Sequence, residues 1–317
     1  MKIIVLDAAT LGCDIKEKAY EIFGKFGEVD MRETTTLDQV PMAVKDADVL
    51  IVNKIRLGSN LSDAKNLKLI CVSATGYDNI DLKWCRENNV AVCNVKGYST
   101  QSVAQLTISM ALMLINRMAE YTEYVKSGEY SISGIANRLT PVYNEIYGKT
   151  WGIVGAGNIG KQVARVAEAM GCRVIVNKRT PNGDYEFSDI DNLCATADII
   201  SVHTPLTDET RNLINRDRIN MMKSNAIFIN VARGAVADEA ALADAVAQGR
   251  IGGIGIDVYT TEPMPKDHPY TKIMKMPNVC LTPHNAWGAY ESRVRCLEIM
   301  GSNIEKFLSG ERQNRIV

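Results

Sequence analysis

The stretch TWGIVGAGNIGKQVARVAEAMGCRVIVNKRT, residues 150–180, has the pattern of a strand, a glycine-rich turn, a helix and a second strand. Its glycines form G-x-G-x-x-G, in which the first permits a tight turn, the second lets a pyrophosphate approach the backbone and the third lets helix and strand pack closely. Free N–H groups at the start of the helix favour an anion. The stretch therefore predicts a dinucleotide site, and the alternative is the same turn without a ligand. The residues predicted to line the site are Gly155, Gly157, Asn158, Ile159 and Gly160.

The residues after the second strand bear on the choice of cofactor. In NAD-binding units an acidic residue at this point accepts hydrogen bonds from the ribose 2′-OH. Here the position carries Lys178, followed by Arg179 and Thr180. Cationic and hydroxyl donors suit a 2′-phosphate, which a carboxylate would repel. We therefore predict NADP(H) in preference to NAD(H); the alternative is that Lys178 and Arg179 form a solvated loop.

Short apolar runs alternate with helix-like segments on both sides of this stretch. They lie at 2–6, 48–53, 67–74 and 90–94 in the first half, and at 173–176, 197–203, 226–231, 252–258 and 278–283 in the second. Such alternation predicts parallel sheets with helical crossovers. Because 317 residues exceed one ordinary core, we predict an α/β fold of two doubly wound parallel-sheet domains, Rossmann-like or flavodoxin-like.

The position of the glycine-rich stretch suggests how the two domains share the chain. It lies in the second series of strands, after a long helical segment at about 101–126, and a last helix at about 286–309 follows the final strand. That last helix can return to the first domain. We therefore predict a substrate domain of 1–99 and 285–317, with a cofactor domain of 100–284 inserted in it.

Composition excludes several classes of protein. A net charge of −1 argues against a nucleic-acid partner. The N-terminal apolar run is too short for a signal peptide, and the apolar stretch that begins at Val103 is interrupted by polar residues and falls short of a membrane span. We therefore expect a cytoplasmic protein with no membrane partner. The eight cysteines have no CxxC spacing and there are only three histidines, so no metal site is predicted.

Three polar residues follow strand-like runs in the second half. Arg233 follows the run 226–231, Glu262 follows 252–258 and His284 follows 278–283. Ligands of open α/β sheets bind at the carboxyl ends of strands. An arginine fork can hold a carboxylate and polarise an adjacent keto oxygen, a histidine can protonate that oxygen, and a carboxylate stabilises the imidazolium. This predicts reduction of a 2-keto acid, although residues such as Arg233 and Glu262, taken singly, are more often members of surface ion pairs.

Seven stretches together resemble the D-isomer-specific 2-hydroxyacid dehydrogenases and span nearly the whole chain. They are ATGYDNIDL (74–82), NVKGYSTQSVAQ (94–105), GIVGAGNIG (152–160), SVHTPLTDETRNLI (201–214), FINVARGAVADEAAL (228–242), GGIGIDVYTTEP (252–263) and TPHNAWGAYESR (282–293). The resemblance implies Arg233, Glu262 and His284 as the catalytic trio. In it His284 is the acid in reduction and the base in oxidation, and Glu262 orients it.

The resemblance also implies binding residues outside the trio. Asp257 matches a position that contacts the nicotinamide carboxamide, and Val103 one packed on the nicotinamide side. The other implied cofactor residues are His203, Thr204, Pro205, Val231 and Ala232, and the implied substrate residues are Ala74, Thr75 and Gly76 with Arg233 and His284. The alternatives are a structural role for His203 at the pocket edge and a strand-end cap for Asp257. His268, in the loop MPKDHPY, is expected to be solvated.

Within the family, VSATGYDNIDL (72–82) and HNAWGAYESRVR (284–295) resemble the glycerate dehydrogenase, or hydroxypyruvate reductase, branch. This favours hydroxypyruvate and glyoxylate as substrates. The alternatives are a phosphoglycerate dehydrogenase, a reductase of bulkier 2-keto acids and a corepressor-like scaffold that senses NAD(H). Arg56 follows a substrate-domain strand and either binds substrate or faces solvent. A formate dehydrogenase is disfavoured, because that subfamily carries Gln in place of Glu262.

The resemblance further implies a homodimer built on the cofactor domain, with the segment 120–149 reaching across to the partner. Tyr121, Tyr124 and Tyr130 are the candidate contacts in this segment. The alternative is that these tyrosines pack within their own chain.

Overall fold

A computed structural model describes residues 1–180 and 183–317. These residues divide into two compact units, and the second unit is inserted in the sequence of the first. Unit 1 consists of Met1–Ser99 and Gly288–Val317, and unit 2 of Thr100–Trp287. Residues 285–287 thus belong to unit 2, although the sequence suggested a boundary before them. The reason is that the backbone N–H groups of Asn285 and Ala286 donate to the Asp257 carboxylate of unit 2.

Unit 1 is built on a parallel sheet whose strands lie in the order β2-β1-β3-β4-β5. The strands are β1 (Lys2–Val5), β2 (Glu28–Met31), β3 (Val49–Val52), β4 (Leu69–Val72) and β5 (Ala91–Cys93), and the helices are α1 (Lys16–Phe23), α2 (Val40–Val44), α3 (Leu82–Glu87) and α11 (Tyr290–Leu308). Every residue of β3 and β4 is buried, as expected for apolar strands covered on both faces. The C-terminal helix α11 packs in this unit, where its Asn303 donates to the Asn94 carbonyl at 3.0 Å.

Unit 2 contains a seven-stranded parallel sheet in its described part, in the order β12-β11-β10-β9-β6-β7-β8. Its strands are β6 (Thr150–Val154), β7 (Arg173–Asn177), β8 (Glu186–Phe187), β9 (Ile199–Val202), β10 (Ile227–Asn230), β11 (Gly253–Ile256) and β12 (Val279–Leu281). Its helices are α4 (Thr100–Ile115), α5 (Met118–Lys126), α6 (Glu129–Ile132), α7 (Asn158–Ala169), α8 (Ile190–Thr196), α9 (Arg216–Met221) and α10 (Glu239–Ala247).

Both faces of the unit 2 sheet are covered. Ile200 and Phe228 belong to one buried apolar cluster, whereas their strand neighbours Ile199 and Ile227 belong to another. Successive side chains of a strand point to opposite faces, so each cluster fills one side of the sheet. This confirms the predicted α/β class with two doubly wound parallel sheets.

The helical segment expected at about 101–126 is two helices. They are α4 and α5, bent by 65°, and Arg117 between them has a left-handed φ of 54° that no continuous helix accommodates. In the part of the chain that the structure describes, no single helix is long and apolar enough to cross a membrane, and this bent pair passes that test by length and composition alone.

The order of strands in unit 2 creates a crevice. From β6 the chain adds β7 and β8 on one side and then β9 to β12 on the other. The direction therefore reverses between β6 and β9, and open α/β sheets bind ligands at the carboxyl ends of the strands at such a point.

Candidate active site

The glycine turn after β6 lies at this crevice. Gly155 has a φ of 93°, and a Cβ there would lie 2.8 Å from the backbone nitrogen of Thr204. A Cβ on Gly160 would lie 2.1 Å from the carbonyl oxygen of Gly155. The fold therefore requires glycine at both positions, because backbone atoms lie too close for a side chain. At Gly155 these atoms belong to the loop after β9, which packs against the turn.

At Gly157, by contrast, no contact or backbone angle among the described residues requires a glycine. Its φ of −73° and ψ of −164° are open to any residue, and a Cβ would meet no heavy atom within 4 Å. In the described part of the chain, α7 has no side chain that caps its first N–H groups, which include those of Asn158 and Ile159. Open space before uncapped donors at a helix start fits a pyrophosphate group.

Lys178, Arg179 and Thr180 follow β7 directly, as predicted. Lys178 is half-buried, and Arg179 and Thr180 are exposed. The preceding residue, Asn177, is held by a bond from its side chain to the Ser188 carbonyl at 3.0 Å. The three donors thus stand at the end of the second strand of the dinucleotide unit, and the preference for NADP(H) stays a prediction.

His203 directly follows β9, and its ring nitrogen Nδ1 is buried. The Trp151 indole N–H donates to Ser201 Oγ at 2.9 Å, and Ser201 Oγ lies 2.9 Å from His203 Nε2. The serine oxygen has two acceptor sites and one hydrogen, so it can accept from the indole and pair with Nε2 in either tautomer of the ring. Nδ1 is buried and finds no hydrogen-bond partner among the described residues. Burial lowers the pKa of His203 to about 3, so the ring is neutral.

A buried polar atom without a hydrogen-bond partner costs about 1–3 kcal/mol. His203 lies beside the Gly155 turn, so its position fits a polar group of a bound dinucleotide as well as a structural role. Thr204 and Pro205 follow it, and Val231 and Ala232 follow β10, at the same edge of the sheet. Val103 is buried in α4.

The predicted trio lies at the carboxyl ends of three neighbouring strands. Arg233 follows β10, Glu262 follows β11 and His284 follows β12, and these strands are adjacent in the sheet. Sequence alone placed each residue after a strand. The strand order shows that they meet along one stretch of the sheet edge.

His284 and Glu262 form a close pair. His284 Nδ1 lies 2.7 Å from Glu262 Oε2 and 2.9 Å from Oε1. The side chains are 23% and 28% exposed, respectively, so they remain accessible from solvent. The carboxylate engages Nδ1 and orients the ring, which assigns proton transfer to Nε2.

Asp257 holds the turn that carries His284. The backbone of His284 is left-handed, with a φ of 53°, a strained conformation for a residue with a side chain. The Asp257 carboxylate accepts the next two backbone N–H groups, at 2.9 and 3.0 Å, and the Thr282 hydroxyl at 2.6 Å. Burial raises the pKa of Asp257, and these hydrogen bonds oppose the rise. Asp257 therefore organises the catalytic turn, and its contact with a nicotinamide stays a prediction.

Asn230, which the sequence did not single out, fixes the loop of Arg233. It is 2% exposed, its amide donates to the Arg233 carbonyl at 2.9 Å, and its Oδ1 accepts from the Ala232 N–H at 3.0 Å. The sequence feature that could have pointed to Asn230 is the presence of a polar residue inside the apolar run 226–231.

His268 is not solvated, contrary to expectation. It is 5% exposed, and its Nε2 lies 3.0 Å from Glu239 Oε2. The loop containing His268 folds back on the start of α10, so a polar sequence neighbourhood did not mean solvent. The partner is 29 residues away in sequence, which is why local pattern could not reveal it.

The implied substrate residues Ala74, Thr75 and Gly76 follow β4 in unit 1. Thr75 is anchored from both ends, because its Oγ1 donates to the Val95 carbonyl at 2.8 Å and its carbonyl accepts from Asn94 Nδ2 at 2.7 Å. Arg56 follows β3 and is exposed, and its carbonyl accepts from Asn60 Nδ2 at 3.0 Å. Their roles toward substrate stay predictions.

A doubly wound domain with a glycine turn, an accessible histidine–carboxylate pair and a neighbouring arginine defines a nicotinamide-dependent oxidoreductase of 2-hydroxy or 2-keto acids. The family model of the D-isomer specific 2-hydroxyacid dehydrogenase NAD binding domain matches residues 108–286. The chain belongs to this family, and the resemblance seen in the sequence is confirmed.

Three known proteins illustrate the similarity. The hydroxypyruvate reductase of Blautia hydrogenotrophica is 31% identical over 99% of each chain. An acyclic imino acid reductase solved with NADPH and D-Arg is 28% identical over 100% of each chain, with a TM-score of 0.88. The D-lactate dehydrogenase of Aquifex aeolicus, complexed with NAD and lactic acid, is 27% identical over 98% of this chain and 96% of that one, with a TM-score of 0.85.

Proposed function

We propose that the protein reduces a small 2-keto acid, hydroxypyruvate or glyoxylate, to the D-2-hydroxy acid with NAD(P)H. The observation that carries the proposal is the 2.7 Å pair of His284 and Glu262, set beside Arg233 at the ends of adjacent strands. A proton donor and an arginine fork at one sheet edge suit a substrate with a keto oxygen next to a carboxylate. The similarity to a hydroxypyruvate reductase over nearly the whole chain supports the choice of substrate.

In this mechanism each residue of the trio has one task. A bound nicotinamide supplies the hydride. Arg233 holds the substrate carboxylate and polarises the keto oxygen. His284 gives its Nε2 proton to that oxygen, and Glu262 stabilises the imidazolium beforehand. Because His284 is 23% exposed, the ring can regain its proton from solvent.

NADPH is the proposed cofactor. Lys178, Arg179 and Thr180 stand after β7, where a carboxylate would favour NAD, and two of the three carry positive charge. Known relatives are solved with either cofactor, so the argument rests on these residues of the chain itself.

The direct test is loss of nicotinamide absorbance with purified protein, measured separately with NADPH and NADH. Hydroxypyruvate, glyoxylate and phosphohydroxypyruvate are the substrates to compare, with pyruvate and larger 2-keto acids as a panel. We expect the highest kcat/KM with hydroxypyruvate or glyoxylate and NADPH. Higher kcat/KM with the phosphorylated acid would refute the substrate, and faster turnover with NADH would refute the cofactor. Cofactor binding without turnover on the whole panel would instead support a scaffold.

We also propose a homodimer, built on the cofactor domain with the segment 120–149 reaching across to the partner. The Ile132, Leu139 and Val142 side chains of this segment are 85%, 71% and 73% exposed. A surface with several exposed apolar side chains is typical of a binding face. The resemblance to the family favours a second copy of the chain as the partner. Tyr121 and Tyr130 already donate within the segment, to the carbonyls of Pro141 and Ala136. They therefore stiffen the segment, and the aliphatic side chains provide the contact.

Mass by light scattering tests the dimer. Ile132→Asp with Val142→Asp places two charges on the proposed face and should yield a monomer. Leu308→Asp is the matched control, because Leu308 is also exposed, at 54%, but lies in α11. The same mass for all three proteins would rule out this face as the interface.

A further inference from the structure

A second histidine–carboxylate pair lies next to the loop that carries Glu262. His268 and Glu239 are 4% and 12% exposed in their side chains, and His268 Nε2 lies 3.0 Å from Glu239 Oε2. The backbone N–H of Tyr270 donates to His268 Nδ1 at 3.2 Å. Because a backbone N–H can only donate, Nδ1 carries no hydrogen, and Nε2–H donates to Glu239. The pair therefore has a fixed direction.

The other oxygen of Glu239 reaches the catalytic loop. Glu239 Oε1 accepts the backbone N–H of Thr260 at 2.9 Å. Thr260 is followed by Thr261 and Glu262, and the N–H of Tyr259 donates to Glu262 Oε1 at 3.2 Å. One buried carboxylate thus connects His268 to the short loop that presents the catalytic carboxylate.

Two further contacts make the position of this loop matter for the whole trio. A Cβ on Gly234, the residue after Arg233, would lie 2.2 Å from Thr260 N. The Tyr259 hydroxyl donates to the Thr282 carbonyl at 2.9 Å, two residues before His284. The loop is therefore packed against the arginine segment and bonded to the histidine segment.

We propose that Glu239 and His268 are positioning residues that hold Thr260 so that Glu262 stays on His284 Nδ1. This inference rests on the proposed function. Glu262 is 28% exposed, so water competes with His284 Nδ1 for its carboxylate oxygens. A buried polar pair is costly to desolvate compared with an apolar filling of the same space. What the polar pair adds is a directed acceptor for one backbone N–H, which fixes the loop.

The titratable groups around the network leave a clear readout. Burial raises the pKa of Tyr259 to about 12 and that of Tyr270 well above its ordinary value, so both are neutral near neutral pH. The carboxylates that act on His284 are Glu262 at 2.7 Å and Asp257 by its charge. Displacing Glu262 leaves His284 without the carboxylate that orients its ring, so kcat should fall while cofactor binding is kept.

Glu239→Gln tests the proposal because an amide cannot serve both neighbours. If its oxygen accepts from Thr260, its NH₂ faces His268 Nε2, which must give up its hydrogen to Nδ1 opposite the Tyr270 N–H. We expect kcat in reduction to fall about tenfold, because the carboxylate no longer orients the proton donor, and the KM for NADPH to stay unchanged. His268→Gln keeps an N–H donor for Glu239 and should retain most of the wild-type rate. Asp244→Asn breaks a surface pair on the same helix and should leave kcat and KM unaltered.

A second readout is independent of turnover. With only three histidines in the chain, ¹³C-labelled ring signals can be assigned by substitution, and the ring signals of His284 can be compared between variants at one fixed pH. Glu239→Gln should shift them in the same direction as Glu262→Gln, which removes the carboxylate from Nδ1 directly. A lowered Tm with unshifted His284 signals would show that the network is only structural and would overturn the proposal. Absence of turnover in the wild type would sink the proposed function but not this measurement.

Should Glu239→Gln fail to fold, Tyr259→Phe gives the same test with a smaller change. It removes only the hydroxyl that donates to Thr282. We expect the ring signals of His284 to shift in the same direction by a smaller amount, and no shift would again count against the positioning role.

Discussion

Replacing Glu262 by Gln removes a charge from His284 while keeping a hydrogen-bond acceptor of nearly the same shape. At the observed 2.7 Å, opposite unit charges attract by about 1.5 kcal/mol at the dielectric constant of water and by about 6 kcal/mol at an effective value of 20. Both side chains are about a quarter exposed, at 23% and 28%, so solvent screening places the pair near the lower limit. We take about 2 kcal/mol for the loss, which corresponds to a factor of about 30 in rate.

The expected effect follows from where charge develops on His284. In oxidation the neutral ring takes the proton of the hydroxy acid, so the charge that Glu262 stabilises develops in the transition state. In Glu262→Gln kcat/KM for oxidation should therefore fall by up to about 30-fold. The equilibrium constant of the reaction is the same for both proteins, so kcat/KM for reduction should fall by the same factor at the same pH.

The assay is kcat/KM in both directions at one pH, followed by nicotinamide absorbance. Glu168→Gln, at an exposed position of α7, is the control for a lost surface charge. If kcat/KM stays at the wild-type value in both directions, Glu262 does not act through the charge of His284. An equal fall in Glu168→Gln would show a general effect of lost charge and would also refute this role.

Three other substitutions test separate parts of the site. Gly157→Ala should weaken cofactor binding with little change in Tm, since its Cβ would meet no described atom within 4 Å. Gly160→Ala should instead lower Tm, because its Cβ would lie 2.1 Å from a carbonyl oxygen. Equal effects of the two variants on binding and Tm would refute the assignment of Gly157 to the pyrophosphate. Arg233→Lys keeps the charge but loses the fork, so kcat/KM for the keto acid should fall by about 100-fold, and an unaltered value would remove Arg233 from the mechanism. Lys178→Asp with Arg179→Ala should shift preference toward NADH, and a constant NADPH/NADH ratio of kcat/KM would show that both cations are merely solvated.

The sequence by itself was sufficient for features that depend on local pattern. Apolar runs spaced between helices predicted the strands, and the glycines at 155, 157 and 160 predicted the turn before α7. Arg233, Glu262 and His284 could each be placed after a strand because polar residues follow apolar runs there. A tight turn between a strand and a helix requires glycines at fixed spacings, so these positions can be recognised from the local sequence alone.

Other features required the strand order. Nothing in the sequence says that β10, β11 and β12 are adjacent, yet that adjacency brings the trio together. Arg117, which breaks the helical segment with a φ of 54°, lies in a stretch whose composition favours a continuous helix. Burial within the tertiary structure overrides such local preferences.

His268 shows the limit most clearly. Its neighbours Lys266 and Asp267 are polar and exposed, and they predict a solvated loop, but the ring is 5% exposed and bonded to Glu239. Asp257 likewise follows an apolar strand, and only the fold reveals that it accepts the N–H groups of the His284 turn. In both cases the partner is distant in sequence. A hydrogen bond needs atoms within about 3 Å, and the sequence determines which groups can form such bonds, whereas only the tertiary structure decides which of them meet.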